Sequence, residues 1–350
     1  VDRLRRQRFI VLEIGEIRTN ALRDLLDSIN IFKKRVRQKD QVLFSRQLST
    51  LIGAGVPIVQ GLTILLDQID NPACKRVIGS VREDIESGTS ITEALSRHPT
   101  VFSELYVNMV RSGELGGILD VILERLSGYL EAAAALRGKI RSAMVYPAVI
   151  ALVAAGITTF LLVAVVPAFV KIFEQAGAQL PLPTQILLMV SNFLRHYIIF
   201  VIIGFIVFLV GLRQYYKTEE GSMRIDALLL RLPIFGPLLR KVAVAKFTRT
   251  FGTLVKSGVP ILQALETVAK TSGNRIIEKA VLAAREAIRE GERISEPLKE
   301  SGVFPPMVTQ MVSVGEETGN LDAMLGKIAE FYEQEVDAAV AGLTSLIEPV

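Results

Sequence analysis

The chain has 350 residues, half of them hydrophobic, with 40 Lys and Arg against 36 Asp and Glu and a formal net charge of +4. So apolar a composition excludes a disordered chain, and a near-balanced charge argues against a protein that works through a strongly basic nucleic-acid-binding surface. One cysteine, Cys74, excludes a disulfide framework and fits a reducing compartment.

The opening VDRLRRQRFIVLEIGEI is basic, but Glu13 and Glu16 break its apolar stretch and no small-residue cleavage site follows, so it does not read as a secretory signal peptide. Within it RFIVLEI, 8–14, reads as a short strand or one helix turn. The run FKKRVRQK, 32–39, lacks interleaved aromatics beyond Phe32; a solvated helix face, an anionic membrane face or an acidic groove on a partner explains it better than nucleic acid. Residues 1–40 are taken as an amino-terminal segment, and the start at Val1 without an initiator Met is read as an incomplete end.

From Phe44 the chain begins to say something that it later repeats. FSRQLSTLIGAGVPIVQGL, 44–62, returns as FTRTFGTLVKSGVPILQAL, 247–265, identical at 10 of 19 positions. Arg82, Glu83, Ile85, Gly88, Ile91, Glu93 and Leu95 recur at the same offset as Arg285, Glu286, Ile288, Gly291, Ile294, Glu296 and Leu298. One residue is then lost, and GELGGILD at 113–120 returns as GEETGNLD at 315–322. The chain is a tandem duplication of a domain of roughly a hundred residues, with the first copy at 41–141 and the second at 241–345.

Inside each copy the pattern is helical. Leu119, Ile122, Leu123, Leu126, Tyr129 and Leu130 recur at three- and four-residue spacings, and their counterparts Leu321, Met324, Leu325, Ile328, Phe331 and Tyr332 are apolar too. Gly55 with Pro57, and Gly258 with Pro260, read as a helix stop followed by a helix start. With further breaks near 88, 99, 291 and 305, each copy is expected to be a bundle of about six short helices.

Between the copies lie two apolar runs. From Ser142 to Val170 there is no Asp, Glu, Lys or Arg, long enough for a first transmembrane helix at 142–170. The link at 171–196 follows, then YIIFVIIGFIVFLVGL at 197–212, flanked by Arg195 and Arg213 and by Tyr197, Tyr215 and Tyr216. That run reads as a second transmembrane helix, with a buried core helix as its rival. Lys171 and Arg195 are the only cations of the link, whereas Arg137, Lys139 and Arg141 precede the first helix, and Arg213, Lys217, Arg224, Arg231, Arg240 and Lys241 follow the second. The positive-inside rule then places both copies in the cytoplasm, the link outside and a cytoplasmic connector at 213–240. Pro147 aligns with Pro349, so a third membrane helix is expected to begin at 346–350 and to be cut off there.

The paired GVP blocks, the paired GE-x-x-G-x-LD blocks, the link FEQAGAQLPLPTQILL, the segment DALLLRLPIFGPLLRKVAVAKFTRTFGTL and the ending from VFPPMVTQMV onward together resemble the type II secretion F protein family over residues 40–350. The link and the tail EQEVDAAVAGL look closer to its pilus-assembly (PilC) branch. The resemblance implies an all-α membrane protein, with two homologous cytoplasmic helical bundles joined by transmembrane helices, which serves as an inner-membrane platform. Its implied partners are a cytoplasmic hexameric ATPase, pilin or pseudopilin subunits, other inner-membrane assembly proteins, the lipid bilayer and a second copy of itself, with no cofactor, no nucleic acid and no catalysis of its own.

The residues agree in offering little chemistry. No GxxxxGK[ST] phosphate loop and no GxSxG elbow is present, and His98 and His196 lie far apart beside a single cysteine, which leaves no zinc set. A transporter would carry ionisable groups inside its membrane helices, and none occurs in 142–170 or 197–212. Two readings stand for the acidic blocks. Gly113 and Gly315 allow a turn or close helix approach, Glu114 and Glu316 cap the next helix, and Asp120 and Asp322 lie on its solvated first turn; or Glu114 or Glu316 meets a basic patch of the ATPase or holds a divalent cation. Gly117 and Gly319 complete those blocks. Arg46 and Arg249 call for either an ion pair with Glu93 or Glu296 of the same copy or an exposed contact. Gly156 and Gly204 either permit close helix approach in the membrane or simply fill space.

Overall fold

The computed structural model describes residues 35–169, 182–233 and 235–347, and all regular structure among them is helical. The first copy supplies α1 (Gln38–Gly53), α2 (Ile58–Gln68), α3 (Pro72–Glu86), α4 (Ile91–Ser96), α5 (Glu104–Gly116) and α6 (Leu119–Phe160). After α7 (Leu182–Tyr216) and α8 (Glu219–Arg231), the second copy supplies α9 (Phe235–Lys256), α10 (Ile261–Thr271), α11 (Arg275–Arg289), α12 (Ser295–Glu300), α13 (Pro306–Thr318) and α14 (Leu321–Ile347). The segment 8–14, the start of the basic run at 32–34 and the final residues 348–350, where a further membrane helix is expected, lie outside the described residues.

The duplicated punctuation sets the helix ends. Gly55 and Gly258 adopt φ of 82° and 77°, a left-handed conformation open to glycine at little cost, and Pro57 and Pro260 then sit at the N-caps of α2 and α10. Asn71 and Asn274 are also equivalents. The Asn71 carboxamide oxygen accepts from Ala73 N at 3.0 Å, and that of Asn274 from Ile276 N at 2.9 Å, each covering a free amide at a helix start.

Equivalent residues build the two cores. Phe44, Leu48 and Leu62 are buried in the first copy, as Phe247, Phe251 and Leu265 are in the second. Phe44 stacks on Phe102 at a centroid distance of 6.2 Å, and the corresponding rings of Phe247 and Phe304 meet at 4.7 Å. On the long helices Ile122, Leu123 and Leu126, then Leu325 and Ile328, are fully covered. Phe331 departs from the expected stripe: it is 44% exposed, with its ring against that of Tyr332 at a centroid distance of 5.4 Å.

The helix that closes the first bundle does not stop there. Beyond Phe160, α6 passes through one π-turn, Leu161–Val165, and runs on to Phe169, making a single rod of 51 residues, about 75 Å long at ~1.5 Å per residue. Its first third is buried by the bundle, whereas farther along Leu152 is 74% and Phe160 63% exposed. The apolar window of α7, Ile199–Tyr216, has no buried residue at all. A core helix would be covered by its neighbours, and the described residues do not cover 197–212; both helices are long and apolar enough to cross a membrane. The structure also differs from the expectation for 171–196. Helix α7 already starts at Leu182, with Pro183 in its first turn, so Arg195 and His196 sit within a helix instead of ending a loop. The π-turn disturbs the regular backbone bonding, and the buried Ser191 hydroxyl of α7 donates to Leu162 O within it.

At its other end α7 is tied to the second copy by one buried carboxylate. Asp226 of α8, 3% exposed, accepts from the Tyr216 hydroxyl at 2.9 Å and from Arg275 N, the first amide of α11, at 2.7 Å. The carboxylate favours the positive end of that helix as well. Replacing Asp226 by Ala strands both donors, so thermal unfolding of the detergent-solubilised chain followed by circular dichroism should show a loss of about 2–3 kcal/mol, with Asp226→Asn losing less.

Candidate functional site

The two acidic blocks fold into the same device. Helix α5 ends where Gly117 takes φ of 67°, and α13 ends where Gly319 takes 70°, each turning the chain sharply into the next long helix. The hairpins close tightly. A Cβ on Gly113 would lie 2.9 Å from Ile122 Cβ, and one on Gly315 would lie 3.0 Å from Leu321 Cα, so only glycine fits without displacement.

Glu114 and Glu316 then reach backward in sequence, not forward. Glu114 accepts from Ile91 N at 3.0 Å, from Thr92 N at 3.2 Å and from the Thr92 hydroxyl, which covers the start of α4. Glu316 accepts from Ile294 N at 2.9 Å and Ser295 N at 3.4 Å at the start of α12. The expected cap on the following helix is therefore corrected to a cap on the six-residue helix upstream, whose exposed amides and positive end a carboxylate satisfies. Both oxygens of each carboxylate face N–H donors, a setting that disfavours a cation, and among the described residues no group of three or more His, Cys, Asp or Glu is arranged to hold a metal. Asp120 is exposed on the first turn of α6, whereas Asp322 is half-buried on α14.

Arg46 and Arg249 form a second duplicated device, with partners other than those expected. Arg46 Nε and Nη2 donate to the two oxygens of Glu131 at 2.6 and 2.5 Å, and Nη1 to Glu124 at 3.2 Å. Arg249 makes the same fork with Glu333 at 2.8 and 2.7 Å. Glu131 and Glu333 are equivalents on α6 and α14, the helices against which α1 and α9 lie. Glu93, on α4, instead pairs with Arg97 at 2.9 Å. Hydrogen bonds from Arg46 hold the Glu131 carboxyl below the usual carboxylate range.

The contact between the copies is not legible in the repeat, since of three polar residues in it Gln263 has an identical counterpart in Gln60 but Asn108 and Thr267 align with Gln310 and Ile64. Asn108 of α5 donates to the Thr267 hydroxyl and accepts from Gln263 Nε2, both at 3.1 Å, and both Asn108 and Thr267 are buried. Lys270 pairs with Glu104 at 3.0 Å, and Lys139 with Asp337 at 2.6 Å. A groove of about 620 Å³ along this seam brings Arg249 and Asp322 together with Arg125, Lys256 and Lys327. Arg46, Glu114 and Glu316 do not line it. The hairpin tips differ as well: Leu115 is 83% exposed with Ile118 and Val121 beside it, where the second copy has Glu317, Asn320 and Ala323.

Two outcomes follow from this geometry. Glu114→Ala and Glu316→Ala should each lower unfolding stability by about 1–3 kcal/mol, because buried amides lose their acceptor; unchanged melting would mean the carboxylates serve a surface contact instead. A double-mutant cycle on Arg46 and Glu131 should give a coupling of roughly 0.5–1 kcal/mol at neutral pH. Because the folded Glu131 carboxyl is depressed, that coupling is present above the unfolded value of about 4.3 and disappears as pH falls through the lower folded value.

Comparison with known proteins agrees with this architecture. The family model described as type II secretion system (T2SS), protein F, matches residues 44–167 and again 247–350. The type IV pilus assembly protein PilC of Myxococcus xanthus is 48% identical over 315 residues, 90% of this chain and 76% of that protein. PilC of Thermus thermophilus is also 48% identical, over 89% of this chain and 77% of that protein. The type II secretion system protein F of Vibrio cholerae is 34% identical over 97% of this chain and 83% of its own length. The chain belongs to the type II secretion system protein F family.

Proposed function

We propose that this chain is the inner-membrane platform of a type IV pilus assembly machine, coupling a cytoplasmic hexameric ATPase to the insertion and extraction of pilin subunits. The observation that carries the reading is the continuous helical segment from Leu119 to Phe169, with Pro147 and one π-turn within it, which belongs to a packed bundle at one end and to an apolar, exposed stretch at the other. Force applied to the first bundle reaches the bilayer through a rod with no loop to absorb it. The second bundle has its own tie through Asp226 to the end of α7. Charge supports placing both bundles in the cytoplasm, since Arg137, Lys139 and Arg141 precede one apolar run and Arg213 and Lys217 follow the other. On this reading the chain hydrolyses nothing, and it works with pilins, other inner-membrane assembly proteins and a second copy of itself.

The pilus assignment rests on the 48% identity to relatives named for pilus assembly, against 34% to the Vibrio cholerae secretion protein. The secretion machine, with pseudopilins in place of pilins, is the second reading because the same family model spans both.

Insertion of Gly-Gly-Ser after Ser142 tests the coupling. In a strain whose pili depend on this chain, the variant should reach the membrane and still copurify with the ATPase, yet surface pili should fall at least ten-fold. Normal pilus numbers would refute transmission through the helix, and loss of secretion with intact pili would select the second reading.

A further inference from the structure

We propose that the groove at the foot of α6 binds the headgroup of an anionic phospholipid. The groove, of about 740 Å³, lies between α6, the start of α1 and α9, and its size suits a headgroup with the first acyl carbons. Among the described residues four cations line it, Arg37, Arg137, Arg141 and Lys246, and no Asp or Glu does. Arg137 is engaged by a neutral group, donating to Gln38 at 2.5 Å. Lys246 is half-buried and has no carboxylate partner among the described residues; burial, and then the nearby Arg137 charge, push its ammonium below the usual lysine range. A cation held in this way calls for an anion.

The second wall of the groove decides which anion. Leu130, Leu136, Ile140 and Met144 provide an apolar surface on α6, and residues 137, 140, 141 and 144 fall on one face of that helix. Met144 already lies inside the charge-free stretch that starts at Ser142, so the groove opens where the helix leaves the bundle for the apolar region. A free phosphate would leave this wall unused, whereas a lipid places its phosphate among the cations and its chains along Ile140 and Met144. Residues 1–34 are poor competitors for the groove: with eight Lys and Arg against five Asp and Glu they carry the same sign of charge. Nor is the feature inherited from the duplication. The positions equivalent to Lys246, Arg137 and Arg141 are Leu43, Ala339 and Leu343, so these three cations are not repeated, and only Arg37 has a charged counterpart, Arg240.

The inference requires that α6 cross a membrane but not that the machine assemble pili, so the two readings fail separately. The chain has no tryptophan, and Met144→Trp in the full-length protein in detergent therefore gives a single reporter in the groove. Short-chain phosphatidylglycerol with brominated acyl chains should quench it at a concentration at least ten-fold lower than the phosphatidylcholine analogue, and inorganic phosphate should not reverse the quenching. Adding Lys246→Gln and Arg141→Gln should weaken the phosphatidylglycerol effect about thirty-fold, at roughly 1 kcal/mol for each cation near a membrane surface. Equal quenching by both lipids would overturn the proposal. Reversal by phosphate would reduce it to a free-anion site, and an equal loss from Lys279→Gln with Lys299→Gln, two exposed lysines away from the groove, would reduce it to net charge. If circular dichroism shows the double variant unfolded, the comparison of the two lipids on Met144→Trp alone decides.

Discussion

The structure depends on a helix that must satisfy two solvents at once. Along α6 the first turns are covered by the bundle through Ile122, Leu123 and Leu126, while the turns beyond Ser142 leave Leu152, Ile157 and Phe160 more than half exposed among the described residues. A helix satisfies most of its backbone polar groups within itself, so one segment suits both environments, with local departures at Pro147 and the π-turn Leu161–Val165. Once that rod is continuous, the orientation of the first bundle relative to the apolar region is set by the helix and not by a linker. The tight α5–α6 hairpin at Gly113, the Glu114 cap and the Arg46–Glu131 fork then fix the remaining helices to its lower end.

Duplication explains the internal framework but not the surfaces. Residues that hold a bundle together recur at equivalent positions: Phe44 and Phe247, Gly113 and Gly315, Glu114 and Glu316, Arg46 with Glu131 and Arg249 with Glu333. Residues that meet something outside their own bundle mostly do not recur, Gln263 with its counterpart Gln60 being an exception. Asn108 reaches across to Thr267, where the first copy has Ile64; the exposed Leu115, Ile118 and Val121 correspond to Glu317, Asn320 and Ala323; Lys246 has Leu43 as its counterpart. One fold used twice has thus been kept inside and differentiated outside, as expected of a scaffold whose two halves do unequal work.

What could be read from the chain follows the same division. Gly55, Pro57, Gly258 and Pro260 announce helix ends because backbone conformation is a local property. The apolar stretch 142–170 announced itself by length and lack of charge. The partner of Arg46 could not be read, because Glu131 lies 85 residues away and its approach depends on how α1 packs along α6. The lost residue between the copies also hid the equivalence, since Glu131 and Glu333 differ by 202 positions whereas Arg46 and Arg249 differ by 203. The direction of Glu114 is hidden for a related reason: a carboxylate near a helix start suggests a local cap, whereas the buried amides at the start of α4 are brought close only by the fold. The helix over 182–196 is signalled in the sequence only by Pro183 and the apolar run after it, a weak local cue beside the length of the charge-free stretches.

Continuity of α6 is the claim on which this account rests, and a distance measures it. With the buried Cys74 replaced by Ser, spin labels at Val121 and Ile157, both exposed on that helix, would be read by pulsed electron paramagnetic resonance on the chain in lipid nanodiscs. A continuous helix predicts a narrow distribution near 54 Å, from ~1.5 Å per residue. A broad distribution centred well below that value would place a hinge between bundle and membrane and contradict the account.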